Sequence, residues 1–149
     1  MRYRQSQDMR DFARLYKELE EMYHILAVRS GLSDSAFIIF YAMIELGEGC
    51  LQKEISNQYH ISPQTINSSV RSLEKKGYIY LEPGKRRDMH IYLTESGRQI
   101  LEQRLGPVVE FENGVFNAMP PDERRQLLHL TRKYIDLYRQ KLNTFSSED

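Results

Sequence analysis

The chain is poor in the residues that commit a sequence to several common kinds of chemistry. It has one cysteine, Cys50, which excludes an internal disulfide framework and a zinc site built from cysteine alone. No apolar run approaches the roughly 20 residues that span a bilayer. The opening residues, MRYRQSQDMRDF, have no apolar core of the kind a signal peptide needs. The expected compartment is therefore the cytoplasm, with no membrane partner. There is no Gly-rich phosphate loop, no nucleophile elbow and no metal-ligand motif. His24, His60, His90 and His129 are scattered, with no pair four residues apart. The expectation is a protein that is not an enzyme and needs no cofactor or metal. Net charge is also lacking: Lys and Arg balance Asp and Glu at 21 each, which argues against crude polyelectrolyte binding to nucleic acid.

What is present is the composition of a folded protein, 40% hydrophobic and 28% charged over 149 residues, enough for one domain or a small domain with a long helical appendage. The neutral total conceals a gradient. Residues 50–93 hold seven Lys/Arg against four Asp/Glu, whereas residues 1–49 hold six against eight and residues 94–149 eight against nine. A basic middle between mildly acidic ends is a clue to an anionic partner.

From Met9 to Leu26 the apolar residues fall at steps of three and four, one face of an amphipathic helix. Gly31 stops it, and Ser33 is placed to cap a second helix, AFIIFYAMIEL, which is apolar nearly all round and predicts burial at the centre. After GEG at 47–49 comes a short helix, LQKEISNQY. Ser62 followed by Pro63 is a strong start signal for the next. Its apolar residues Ile66, Val70 and Leu73 share one face, and Gln64, Asn67, Ser68, Arg71 and Lys75 point the other way. Gly77 is the expected residue just past its end. YIYLE and MHIYL are short β-rich segments joined by PGKRRD, a hairpin with Pro83 and Gly84 in the turn. Thr94 then caps a helix that Pro107 should bend or interrupt, and MPPDE opens a last helix.

Helix, turn, helix and two-stranded hairpin make a winged helix-turn-helix over residues 33–93. The fold class is mainly α with a small β-hairpin. A recognition helix must bury one face and offer the other to the major groove, where amide, hydroxyl and guanidinium groups read base edges. Gln64, Thr65, Asn67, Ser68, Arg71 and Lys75 supply such groups, with Arg71 and Lys75 directed toward phosphates. Lys85, Arg86 and Arg87 would lie over the adjacent backbone, Arg87 being the best placed for the minor groove. The expected partner is double-stranded DNA.

These residues resemble the MarR family of bacterial and archaeal transcriptional regulators. LQKEISNQYHISPQTINSSVRSLEKKGYI is similar to the family's helix-turn-helix, and RRDMHIYLTESG to its wing leading into the LTxxG element. The resemblance covers nearly the whole chain and implies a single domain over 1–149, with helices in 1–30 and 94–149 pairing two copies into a homodimer on a pseudo-palindromic operator. One departure stands out. The family wing commonly carries Asp-x-Arg, and here Arg87 matches the arginine but Lys85 holds the aspartate position, leaving Asp88 as a substitute. The dimer has support besides the resemblance: the terminal helices are long and amphipathic, so Phe12, Leu15, Tyr16, Leu19, Tyr134, Leu137 and Tyr138 need something to cover them.

The resemblance also implies control by a small aromatic or anionic ligand. Tyr23, His24, Phe37, Tyr41 and Arg98 lie on segments that would face its crevice. Two other readings remain open on the residues alone. Cys50 sits near the start of a helix, where the dipole would lower a thiol pKa, as a redox-sensing regulator requires. A winged helix also serves in some assemblies as a protein-binding module.

Overall fold

The computed structural model describes residues 3–85 and 88–145. Among these the order is α1 (Gln7–Arg29), α2 (Asp34–Leu46), α3 (Gln52–Tyr59), α4 (Pro63–Lys75), β1 (Ile79–Pro83), β2 (Met89–Leu93), α5 (Glu95–Ile100), a π-helical turn (Leu101–Leu105), α6 (Gly106–Ala118) and α7 (Pro121–Thr144). The chain divides into two compact units, one up to Val108 and one from Val109 onward.

The core of the first unit is assembled from single faces of short elements. α2 contributes Ala36, Ile39, Phe40, Ala42 and Met43, α3 Ile55, α4 Ile66, Val70 and Leu73, and the hairpin Ile79, Ile91 and Leu93. Leu105 and Val108 close it from the C-terminal side. Each of the larger side chains among them stabilises the fold by roughly 1.5–3 kcal/mol relative to exposure. α2 is not buried all round, as its sequence led one to expect: Ile44 and Leu46, in its last turn, are exposed. Phe37, Ile38 and Tyr41 on the remaining side of α2 are half-buried against the core, so the helix leaves it only in its last turn.

Two glycines fix how the helix-turn-helix meets the wing. Gly77 takes φ +74°, its N–H bonds the Glu74 carbonyl and the N–H of Tyr78 reaches back to Leu73, a Schellman closure that turns α4 into β1. Gly97 passes so close to the Tyr78 carbonyl that a Cβ there would lie 1.8 Å from its oxygen. Thr94 completes the joint: its hydroxyl accepts from the Gly97 N–H at 3.0 Å and donates to the Gly77 carbonyl at 2.6 Å. The LTxxG element is thus the clasp between the end of α4 and the start of α5.

β1 and β2 pair antiparallel from Ile79↔Leu93 to Pro83↔Met89. Pro83 therefore ends a strand rather than forming the turn with Gly84, which an edge position permits because its missing N–H removes no ladder bond. β2 gains a second neighbour that the sequence did not announce. Gly49 N–H donates to the Ile91 carbonyl at 2.8 Å, Ile91 N–H donates to Cys50 at 3.0 Å, and Leu51 bridges His90. Pro107 falls just past the π-helical turn, where Gly106 N–H bonds Leu101. The widened turn absorbs the donor that proline lacks, and the helical run continues.

In the second unit, Pro120 and Pro121 open α7 and Arg124 donates to the Asn117 side chain at 2.7 Å across the turn from α6. Neither α7 nor, in the first unit, α1 contains a buried residue.

Candidate nucleic-acid interface

α4 begins with Ser62 as its N-cap, the hydroxyl accepting from Thr65 N–H at 3.2 Å, and with Pro63 in the first turn. Burial of Ile66, Ser69, Val70 and Leu73 fixes the rotation of the helix about its axis. That rotation leaves Gln64, Thr65, Ser68, Arg71 and Lys75 exposed and Asn67 half-buried. The predicted polar face is present as one surface. Thr65 differs from the rest because its hydroxyl lies 2.8 Å from the Ser62 hydroxyl, so it is shared with the cap.

The wing stands beside this face. Lys85 is exposed at its tip, while Arg86 and Arg87 lie outside the described residues. Asp88 forms an ion pair, with a partner the sequence did not suggest: its carboxylate is 3.0 Å from Lys53 Nζ on α3. His90 adds a second tie, its ring Nδ1 2.6 Å from the Gly49 carbonyl. At the far end of β2, Glu48 accepts from the Leu93 N–H at 3.3 Å and pairs with Arg98 at 2.5 Å. The hydrogen bond from Arg98 holds the Glu48 carboxyl below its ordinary value, against a smaller opposing effect of burial. On the outer face of the hairpin, Tyr80 and Tyr92 stack with ring centroids 5.5 Å apart.

The residues proposed for an effector are not gathered into one wall. Phe37 and Tyr41, one turn apart on α2, stack at 5.7 Å. Tyr23 and His24 are exposed on α1. Arg98 already serves Glu48, so its charge is committed to holding the base of the wing. Near Tyr41, the Tyr59 hydroxyl donates to Glu45, tying α3 to α2, and burial followed by this bond keeps the phenol protonated well above its usual range.

Cys50 contradicts the expectation of an activated thiol. It is buried, and burial first and the Glu54 charge second push its pKa up to about 11. Cys50 precedes the α3 N-cap, Leu51, and its backbone is used in pairing with β2. Desolvation outweighs any helix dipole at that position.

Phe12, Leu15, Tyr16 and Leu19 on α1, and Tyr134, Leu137 and Tyr138 on α7, are all exposed. Residue-by-residue reading named Asp88 but missed its partner Lys53, and it missed Glu48 altogether. Asp88 carried a signal, as the one carboxylate next to the basic tip, but its partner is 35 residues away.

Residues 30–88 match the sequence model of the MarR family. The HTH-type transcriptional regulator YwhA of Bacillus subtilis (strain 168) is 28% identical over 86 residues, 56% of this chain. The chain spans 62% of the length of each of the two curated relatives it matches. NMB1585, a MarR family regulator from Neisseria meningitidis, has the same fold with a TM-score of 0.76 at 19% identity, covering 93% of this chain and 98% of that one. CouR from Rhodococcus jostii RHA1, solved bound to p-coumaroyl-CoA, superposes with a TM-score of 0.68 at 21% identity, covering 83% and 91%. Residues 30–88, from before α2 to the tip of the wing, thus match the MarR family model, and the chain has the winged helix-turn-helix fold seen in MarR family regulators of known structure.

Proposed function

We propose that the chain acts as a homodimeric repressor that binds a pseudo-palindromic operator in double-stranded DNA and is released by a small aromatic or anionic ligand. The observation that carries this reading is the exposed polar face of α4, held in a single rotation by four buried residues on its other side. Gln64, Asn67 and Ser68 offer short donors and acceptors to base edges, and each well-placed pair is worth roughly 1–3 kcal/mol of discrimination. Arg71, Lys75 and Lys85, with Arg86 and Arg87, supply charge for phosphates and fix register. Two copies would place their recognition helices in successive major grooves roughly 34–36 Å apart. The pairing surface comprises the apolar faces of α1 and α7, including Phe12, Leu15, Tyr16, Leu19, Tyr134, Leu137 and Tyr138. A ligand acts by binding one spacing of the recognition helices better than the other. The Phe37–Tyr41 stack is the aromatic surface that favours such a ligand, and the acyl-CoA thioester bound by CouR is in keeping with that chemistry.

The test is fluorescence anisotropy of the purified protein on a duplex from its own upstream region, against a scrambled duplex, across a salt series. Tight upstream binding that weakens with salt, beside weak scrambled binding, is the expected result. Gln64→Ala should blur sequence preference, whereas Arg87→Ala should weaken binding to every sequence and lower the salt slope by about one. Indifference of the α4 variants and equal, weak binding to every duplex, including ones selected from a random pool, would overturn the reading.

A further inference from the structure

β2 is the best-anchored strand in the protein, and its ties are unequal. Its base is held by Glu48 at Leu93 and its middle by main-chain bonds to Gly49 and Cys50. Toward the tip, main-chain pairing with segment 49–51 ends at Leu51↔His90, and the next link is a charge pair alone, Lys53 Nζ to Asp88 at 3.0 Å. Lys53 stands on the first turn of α3, part of the rigid core through Ile55. Asp88 immediately precedes β2, where a small rotation of the hairpin is magnified at the tip. Both side chains are substantially exposed, 62% and 39%, so the pair contributes little to global stability. A weak tie at the end of a lever has its effect on direction.

We propose that Lys53 and Asp88 are a positioning pair for DNA binding: the tie between them sets the posture in which the wing meets the backbone. The inference rests on the DNA-binding reading above and adds to it a residue pair outside the recognition helix and the basic tip. It also explains an acidic residue beside a surface that approaches phosphates. Left unpaired, Asp88 would repel DNA; paired with Lys53, it trades that repulsion for a fixed wing.

Charge and posture predict opposite signs for Asp88→Asn, which makes that variant the decisive one. If the two residues act only through their charges, Asp88→Asn strengthens DNA binding, Lys53→Gln weakens it, and the effects add. If they position the wing, both single variants weaken binding, by roughly fivefold for two wings. The swapped protein, Lys53→Asp with Asp88→Lys, then returns to within about twofold of the original, since it restores the pair and leaves net charge unchanged. Affinity is read by anisotropy on the duplex that the unmodified protein prefers, with melting temperatures expected to be unchanged. Hydrogen exchange of the segment around residues 84–90 in the DNA-free protein is the second arm. It should quicken in both single variants and slow again in the swap. Opposite signs with additive effects, or exchange that ignores all three variants, would overturn the pairing role. If the unmodified protein prefers no duplex, the DNA reading fails, and the exchange arm still decides whether the tie holds the wing.

Discussion

α4 and α7 are written in the same amphipathic pattern and meet opposite fates. α4 is 13 residues long and buries four of them against α2, α3 and β1. α7 is 24 residues long and buries none, leaving Leu128, Leu137, Tyr138 and Leu142 more than half exposed. α1 behaves like α7, touching the core of the first unit only through the half-buried Leu26. Periodicity says that a face must be covered, and it does not say by what. In α4 the cover is the same chain. In α1 and α7 the large apolar side chains keep about half of their surface exposed and forgo part of the gain that full burial brings. We propose a second copy as the cover.

The comparison can be broken most severely at the clasp of the self-covered module. Gly97→Val puts side-chain atoms into the Tyr78 carbonyl and should lower stability by about 4 kcal/mol, read by thermal or urea unfolding, with the helix-turn-helix lost along with the wing. Next is the other side of the contrast. Leu137→Asp should weaken self-association by about 100-fold, measured by sedimentation, while the near-native signals of the first unit persist. If Leu137→Asp melted the first unit instead, the division between a self-sufficient module and a copy-dependent one would be wrong. Ser62→Ala removes the α4 cap and should cost about 1 kcal/mol, with DNA affinity falling more than stability because the same turn carries Gln64 and Thr65.

The smallest effect concerns pH. The Glu48 carboxyl is depressed in the fold by Arg98, so the stability it contributes is present above its unfolded value near 4.5 and is lost as pH falls through the folded value. Glu48→Gln should therefore flatten the acid limb of the stability curve below about pH 4.5 and leave neutral pH little changed. An unaltered acid limb would mean that the pair is too solvent-screened to matter, and that β2 is held at its base by main-chain bonds.

Much of this was legible in the residues themselves. Ser33, Ser62 and Thr94 cap helices where expected, Gly77 closes α4, and the polar face of α4 emerges as a surface because a period of 3.6 is a property of neighbours. The exceptions have physical reasons. Pro83 was assigned to a turn because proline usually punctuates, yet an edge strand tolerates it. For Cys50 the place near a helix start left a lowered pKa open, and burial sets the opposite sign. The apolar pattern of α2 runs to its last residue, but its last turn, with Ile44 and Leu46, extends past the core.

The sequence by itself determined the local grammar: which stretches are helical, where they start and stop, which face of each is apolar, and that the basic residues gather between two acidic ends. These depend on residues within a turn or two of one another. Only the tertiary structure decided that Asp88 answers to Lys53, that Glu48 holds Leu93 and Arg98, that segment 49–51 bonds to β2 beside the wing, and that burial pushes the Cys50 thiol pKa up. The bonds to Asp88, Leu93 and Arg98 join partners 35, 45 and 50 positions apart. At such separations the energy of a pair depends on where the packed core delivers each side chain, and periodicity holds no record of that.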